Sequence, residues 1–317
     1  MKETILGNHL RKVPSIAVGC MRLSEKSKDE MNHFIHSALE QGAYFFDHAD
    51  IYGGGMSETV FGEAFSGDPS LKREDIFLQS KCGIRQGFYD LSKDHILESV
   101  DGILKRLQTD HIDIYQMHHI ERHAPWAEIW PAFERLANQG KILYTGSCNF
   151  AARHLVTAQY EAEKRNFLGL VSEQDKYNLV NRLPELEVLP AAKELGIAFL
   201  PWSPLHGGYL SGTMMNRHAG SRGAEEFATH LSEAQKQQLL QYESLCTDIG
   251  ESQADVALAW LLRNPGVTAP IIGPRTDRQL ESALHAAEIK LSDDVLKNWI
   301  ASFPDQEERP RKLTPGK

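Results

Sequence analysis

The chain has 317 residues, of which 41% are hydrophobic and 24% charged, an ordinary globular composition with enough length to bury a large core. Its formal net charge of -9 argues against a sequence-independent grip on nucleic acid, which needs a clustered basic face. Four scattered cysteines (Cys20, Cys82, Cys148, Cys246) offer neither a disulfide framework nor a zinc cage, and with no signal-peptide pattern and no apolar run near the ~18 residues that span a bilayer, a reduced, cytoplasmic protein without a membrane partner is expected.

Apolar or β-branched runs begin near residues 15, 43, 76, 112, 142, 169, 197 and 267. The first seven recur at roughly 30 residues, about one strand plus a returning helix. The first helix reads Lys28 to Gln41, where Met31, Phe34, Ile35, Ala38 and Leu39 form an apolar stripe and Gly42 stops it. Ser57 to Phe65 follows, with Ser57 placed as its cap. Lys93 to Leu107, Trp126 to Asn138, Arg153 to Arg165 and Leu186 to Leu195 continue the alternation. Runs such as Ile197-Ala198-Phe199-Leu200 are continuous, as strands buried on both faces should be.

Eight such strands with helical crossovers predict an α/β fold, a (β/α)8 TIM barrel, as a single domain over 1–317. The absence of Gly-x-Gly-x-x-Gly after the first strand weighs against an open doubly wound sheet. Between strand 7 and helix 7 the sequence inserts a Gly/Ser/Arg-rich loop, about His206 to Leu231, and an extra helix, Glu233 to Ile249; the regular helix Ala254 to Arg263 comes next. A loop of that length in a compact domain is usually functional. A C-terminal helix, Asp293 to Phe303, precedes a polar tail expected to be flexible from about 305 to 317.

A βα barrel builds its active site at the C-terminal ends of its strands. Those ends carry Asp47 and Tyr52, Lys81, His118, Ser147 and Asn149, Gln174, Ser203, and Arg275. Buried polar groups cost free energy unless paired, so a polar residue at nearly every strand end points to chemistry. An ammonium beside the Tyr52 phenol is expected to lower its pKa from the usual ~10 and make it a proton donor nearer neutral pH. Asp47 would hold Lys81 charged, and His118 would hydrogen-bond a carbonyl oxygen or relay the proton. With no nucleophile and no metal set nearby, this constellation suits carbonyl reduction. A Schiff base on Lys81, as in an aldolase, is disfavoured by a carboxylate that keeps the amine protonated. His33 and His36 lack a third ligand and read as surface residues. The glycines and amides of Ser203 to Gly212 suit a pyrophosphate, and Gly273-Pro274-Arg275-Thr276 opens a helix whose amides favour a phosphate.

Asp47-x4-Tyr52-Gly53, with Ser57-Glu58 and Phe61-Gly62 just after it, resembles the first signature of the aldo-keto reductase superfamily, and the likeness extends over almost the whole chain. Lys81 and His118 fall where the remaining catalytic residues of that family lie. The resemblance, which includes the aryl-alcohol dehydrogenase and potassium-channel β-subunit branches, implies an NADPH-dependent (NADP+) reductase that transfers hydride to an aldehyde or ketone while Tyr52 donates the proton. It implies further that Ser147, Asn149 and Gln174 hold the carboxamide and that Tyr177 stacks on the nicotinamide ring. Trp202, Ser203, Pro204, Leu205, Gly207 and Leu210 would line the pyrophosphate, and Gly273, Arg275 and Gln279 the 2'-phosphate end. The resemblance makes NADH the less favoured cofactor, but where many members carry Glu-Asn in the last barrel helix this chain has Ser282-Ala283, with Gln279 and Arg278 as substitutes, a departure that weakens the expected preference for NADPH. No metal and no nucleic-acid partner are implied; the partner is a small-molecule carbonyl substrate, and oligomeric state stays open. An alternative of the same fold is a redox sensor or regulatory subunit that binds NADPH with little turnover. Substrate choice is expected in the loops after the strands, with Phe88, Tyr89 and Trp126 as an apolar wall.

Overall fold

The computed structural model describes residues 1–8, 11–121, 126–212, 231–292 and 303. The chain opens with an antiparallel hairpin, β1 (Glu3–Ile5) and β2 (Lys12–Pro14). The barrel strands β3 (Ala17–Gly19), β4 (Phe45–Asp47) and β5 (Phe77–Cys82) come next, then a second hairpin, β6 (Ile84–Arg85) and β7 (Phe88–Tyr89). The barrel continues with β8 (Ile112–Met117), β9 (Ile142–Cys148), β10 (Leu170–Lys176), β11 (Ala198–Trp202) and β12 (Ile271–Ile272).

The eight barrel strands are parallel and pair in chain order, and β12 returns to β3 with Ile271 opposite Ala17. Across the remaining seam Thr268 N–H donates to Phe199 O at 2.8 Å. The result is the nearly closed (β/α)8 barrel that the eight apolar runs predict. Neither hairpin was expected. The first has a clear purpose: Leu6 and Val13 are fully buried with Phe45, Phe77, Ile114, Val171 and Leu200, an apolar plug inside the barrel. Higher in the barrel the inward positions become polar, with Asp47, Gln79, Lys81, Gln116 and Gln174 all buried.

The helices match the apolar periodicity closely. They are α1 (Lys28–Glu40), α2 (Met56–Ser66), α3 (Lys93–Leu107), α4 (Trp126–Asn138), α5 (Ala152–Glu163), α6 (Val188–Glu194), the inserted α7 (Glu233–Ile249), α8 (Gln253–Arg263) and α9 (Asp277–His285). In α3 the stripe Ile96, Val100, Ile103 and Leu107 is buried, and at roughly 1.5–3 kcal/mol per side chain that face is what holds the helix to the barrel. Ser27 and Glu30 form a capping box at the start of α1. Ser57 does not cap α2. The cap position is Gly55, while the Ser57 hydroxyl is buried and donates to Cys20 O at 2.8 Å. The expected C-terminal helix and tail lie outside the described residues except for Phe303, which packs on Tyr242. Among the described residues no helix is long and apolar enough to cross a membrane.

Candidate active site

β4 ends on Asp47, and six residues later the chain turns through Gly53, Gly54 and Gly55 at φ 59°, 64° and 92°. Only glycine takes this left-handed backbone readily, so three in a row allow an abrupt passage from strand to α2 and leave Tyr52 over the barrel mouth. A Cβ at Gly53 would lie 2.6 Å from Ser24 Cβ, so the turn is also wedged against the loop after β3.

Beneath Tyr52 the buried Lys81 ammonium meets three acceptors: Asp47 Oδ1 at 2.6 Å, His48 O at 2.7 Å and Tyr52 Oη at 3.1 Å. Three acceptors satisfy its three protons. Asp47 Oδ1 also accepts from Gln79 Nε2 at 2.5 Å and from Gln174 Nε2 at 3.2 Å. Burial alone would lower the lysine pKa, but Asp47 and Tyr52 outweigh it and raise the value above the ordinary one, so Lys81 is charged.

Two electrostatic expectations are corrected here. Burial raises the Tyr52 phenol to about 12, overcoming the opposite pull of Lys81, so the phenol is held protonated rather than brought toward neutrality. Burial, followed by the charge of Lys81, lowers His118 to about 2, so its imidazole is neutral and cannot relay a proton as a resident cation. Among the described residues its Nδ1 is buried without a partner and no hydrogen bond to Nε2 occurs, so the ring, which lines the cleft, has Nε2 to offer a ligand. The two rings meet edge to face with centroids 6.0 Å apart.

Asp47, Tyr52 and His118 form one end of a cleft of about 840 Å³, within the ~300–1,000 Å³ of small-molecule sites. Asn149, Gln174 and Trp202 line it next, then Ser203, Pro204, Leu205 and Gly207; Gly273 and Gln279 line it beside α8 and α9. Asn149 adopts a left-handed φ of 60°, donates from Nδ2 to His118 O at 3.2 Å and accepts at Oδ1 from Trp202 Nε1 at 3.1 Å. That turn is held from outside the barrel. The buried Glu173 carboxyl accepts from Phe150 N–H at 2.9 Å and from the Ser147 hydroxyl.

Besides Lys81, which is buried beneath Tyr52, four residues expected at the site do not line the cleft. Ser147 faces outward to Glu173, one step out of phase with the inward Gly146 and Cys148. Tyr177 packs its ring on Phe199 and Trp260 and gives its hydroxyl to Glu185 at 2.6 Å, so the aromatic surface presented to the cleft is Trp202. Leu210 is core. Arg275 is exposed at the entrance to α9, its N–H bonded by Gln279 Oε1.

Other residues were missed. Gln79, a polar position within an apolar strand, braces Asp47. Glu58 accepts from Ser80 Oγ and from Arg106 Nε at 2.8 Å, which ties the Tyr52 turn to α3. Asp255 lines the far end of the cleft. The expected aromatic wall is dispersed: Phe88 and Tyr89 stand exposed on their hairpin, and Trp126 stacks on Trp130. Residues 213–230 of the long loop lie outside the described set. His33 and His36 pair with Asp277 and Asp68, and among the described residues no cluster of three metal-ligating side chains occurs.

The site is suited to a dinucleotide. A side chain built at Gly273 would meet nothing within 4 Å, leaving bare backbone open to the cleft, and Asn149, Gln174 and Trp202 line it together. The family model described as the aldo/keto reductase family matches residues 15–302. The chain is 45% identical to the Bacillus subtilis protein named uncharacterized oxidoreductase YrpG, covering 96% of each. It is 28% identical to versiconal hemiacetal acetate reductase of Aspergillus parasiticus, over 100% of this chain and 99% of that one. A putative voltage-gated potassium channel subunit beta of Schizosaccharomyces pombe is 30% identical, over 83% and 81%.

Proposed function

The chain belongs to the aldo/keto reductase family and is an oxidoreductase, and from that premise we propose that it reduces aldehydes or ketones to alcohols with NADPH, Tyr52 supplying the proton. The observation that carries this reading is the Tyr52 hydroxyl 3.1 Å from a buried, charged Lys81 at the closed end of a ligand-sized cleft. When bound, the nicotinamide supplies the hydride. Asn149 and Gln174 offer amides to its carboxamide, and Trp202 offers an aromatic face.

A carbonyl oxygen seated between Tyr52 Oη and His118 Nε2 receives two hydrogen bonds, which stabilise the negative charge that develops there. A phenol near 12 keeps its proton at neutral pH, yet gives it readily to an alkoxide, which is a stronger base. Lys81 stabilises the phenolate left behind, and Asp47 keeps Lys81 in place. The preference for NADPH over NADH rests on the entrance to α9, where backbone amides and the exposed Arg275 favour a 2'-phosphate.

The likeness to a putative channel β-subunit supports a second reading, a regulatory subunit that holds the cofactor with little turnover. The experiment is NADPH oxidation with an aromatic aldehyde, the parent compared with Tyr52→Phe. Loss of ~10²–10⁴-fold in turnover with NADPH binding retained is expected. A variant as fast as the parent overturns Tyr52 as the donor, and a parent that binds NADPH but reduces no member of a broad aldehyde panel favours the regulatory reading.

A further inference from the structure

Outside the barrel, α3 grips the turn that carries Tyr52. Arg106, in the last turn of α3, donates from Nε to Glu58 Oε2 at 2.8 Å, and Glu58 Oε1 accepts from Ser80 Oγ at 2.5 Å. Nearer the start of the same helix, Ser99 Oγ donates to Asp50 Oδ2 at 3.0 Å. Asp50 lies just before Tyr52 and Glu58 just after the glycines, so one helix holds both flanks of the turn. The packing around Arg106 is made with glycines. A Cβ at Gly55 would lie 2.9 Å from its Cδ, one at Gly102 3.0 Å from its Nη1, and one at Gly62 2.2 Å from its carbonyl oxygen. Gly62 and Gly102 lie within helices and have no left-handed φ, so what they supply is room for Arg106.

Glu58 is 0% exposed, and burying its carboxylate carries a desolvation cost that an apolar contact between α2 and α3 would avoid. What the charged hydrogen bond adds is a fixed distance and direction. That matters because the turn cannot fix itself: a Cβ at Gly54 would meet nothing within 4 Å, one at Gly53 would strike Ser24, and one at Gly55 would strike Arg106. Ser80 and Lys81 are successive residues of β5 and point to opposite faces of the sheet. Ser80 meets Glu58 on the outside, and Lys81 meets Tyr52 Oη on the inside at 3.1 Å. The same strand therefore holds the same turn from both faces. We propose that Arg106 is a positioning residue for the proton transfer: through Glu58 and Ser80 it keeps the Tyr52 hydroxyl within hydrogen-bond distance of Lys81. The inference rests on the reading of Tyr52 as the proton donor.

The test is carbonyl reduction by Arg106→Met, which keeps an unbranched stem beneath Gly55 and removes the guanidinium. Rates are expressed per NADPH-binding site, counted by quenching of tryptophan fluorescence, so that unfolded protein does not enter. A misplacement of about 1 Å at a reacting group costs up to ~10²-fold, so kcat is expected to fall by roughly 10- to 100-fold while KM and the Kd for NADPH stay near the parent values. The solvent deuterium isotope effect on kcat should rise, because transfer from a displaced phenol becomes the slower step. The Arg106 side chain is 30% exposed, so its slot is open to solvent, and millimolar ethylguanidinium should restore part of kcat to Arg106→Ala and none to Tyr52→Phe. Where either single variant does not fold, Arg106→Met with Glu58→Gln, which leaves no unpaired buried charge, carries the same expectation for kcat. A kcat per site equal to that of the parent overturns the proposal, as does a fall accompanied by an unchanged isotope effect and no rescue, the signature of a purely structural role. If Tyr52→Phe is inactive, either result leaves Tyr52 as the donor; a Tyr52→Phe as fast as the parent overturns both readings.

Discussion

Asp47→Asn is the substitution that separates the charge of the catalytic cluster from its shape. The amide is isosteric and its Oδ1 can still accept from Gln79 and Gln174, but Lys81, 0% exposed, loses the one anion bonded to it among the described residues. Removing one partner of a buried ion pair costs about 3–5 kcal/mol, and with side chains 0% and 3% exposed there is little solvent to soften the loss. Against a typical total stability of about 5–15 kcal/mol this is large. The pH dependence gives a second, sharper reading. In the parent the lysine pKa is raised, so its stabilisation is fully present below the unfolded value of about 10.4 and is lost only as pH rises through the still higher folded value; from pH 7 to 9 its contribution is flat. In the variant the largest contribution opposing burial is gone and burial depresses the pKa, so between the folded and unfolded values the unfolded chain binds more protons and stability rises with pH. Urea unfolding followed by tryptophan fluorescence at pH 7, 8 and 9 measures both effects. A loss under about 1 kcal/mol, or a variant as flat with pH as the parent, refutes the account of Lys81 as a buried cation held by Asp47. Combining Asp47→Asn with Lys81→Met should recover part of the loss, because removing both partners leaves no unpaired charge.

Acidification should destabilise the fold through His48 and His118, which burial lowers to about 3 and about 2. Both folded values lie below the unfolded ~6.5, so the stability is complete above that pH and falls as pH drops through it, by about 2 kcal/mol for each histidine at pH 5; a urea midpoint unchanged between pH 7.5 and 5 refutes this. Gly62→Ala should destabilise by at least ~1–3 kcal/mol, because its Cβ would lie 2.2 Å from Arg106 O and 2.6 Å from Leu107 C, both backbone atoms; thermal unfolding checks it, and an unchanged midpoint would mean that α2 and α3 part freely.

The barrel was legible because its strands are buried on both faces, which writes each as an uninterrupted apolar run, and because each returning helix shows its buried stripe at helical spacing. Short pairings left no such trace: β1 and β2 are three residues each, and what fixes them is Leu6 and Val13 reaching the barrel plug, a tertiary contact. The catalytic end was legible for a related reason. Asp47, Lys81 and His118 follow apolar strands, where a polar side chain stands out. Which way a residue faces is harder to read, since one step along a strand reverses it. Ser147 and Tyr177 illustrate the difficulty, lying beside the inward Cys148 and just past β10 yet turning to Glu173 and Trp260. The protonation states were misread because burial, which the sequence does not quantify, outweighs the charge of Lys81 at Tyr52 and acts together with it at His118.

The two ends of the cleft therefore differ in kind. At the reacting end most polar side chains are tied to one another: Lys81 to Asp47 and Tyr52, Asp47 to Gln79 and Gln174, Asn149 to Trp202 and the carbonyl of His118. Such a network fixes donors in advance, so little reorganisation is needed when charge develops on a carbonyl oxygen. At the far end α8 and α9 supply the polar groups, and the carboxylate of Asp255 accepts from the Ser282 hydroxyl at 2.6 Å. Helix residues there are chosen by packing as much as by chemistry, and Asp255 reads in sequence as one more acidic residue in a first turn, where the helix dipole favours it. Only the approach of α9 reveals it as part of a wall. A densely bonded strand-end network at one end and a lining drawn from two helices at the other is the arrangement expected of a site that holds its reacting groups rigidly while the rest of the cleft accommodates the bound molecule.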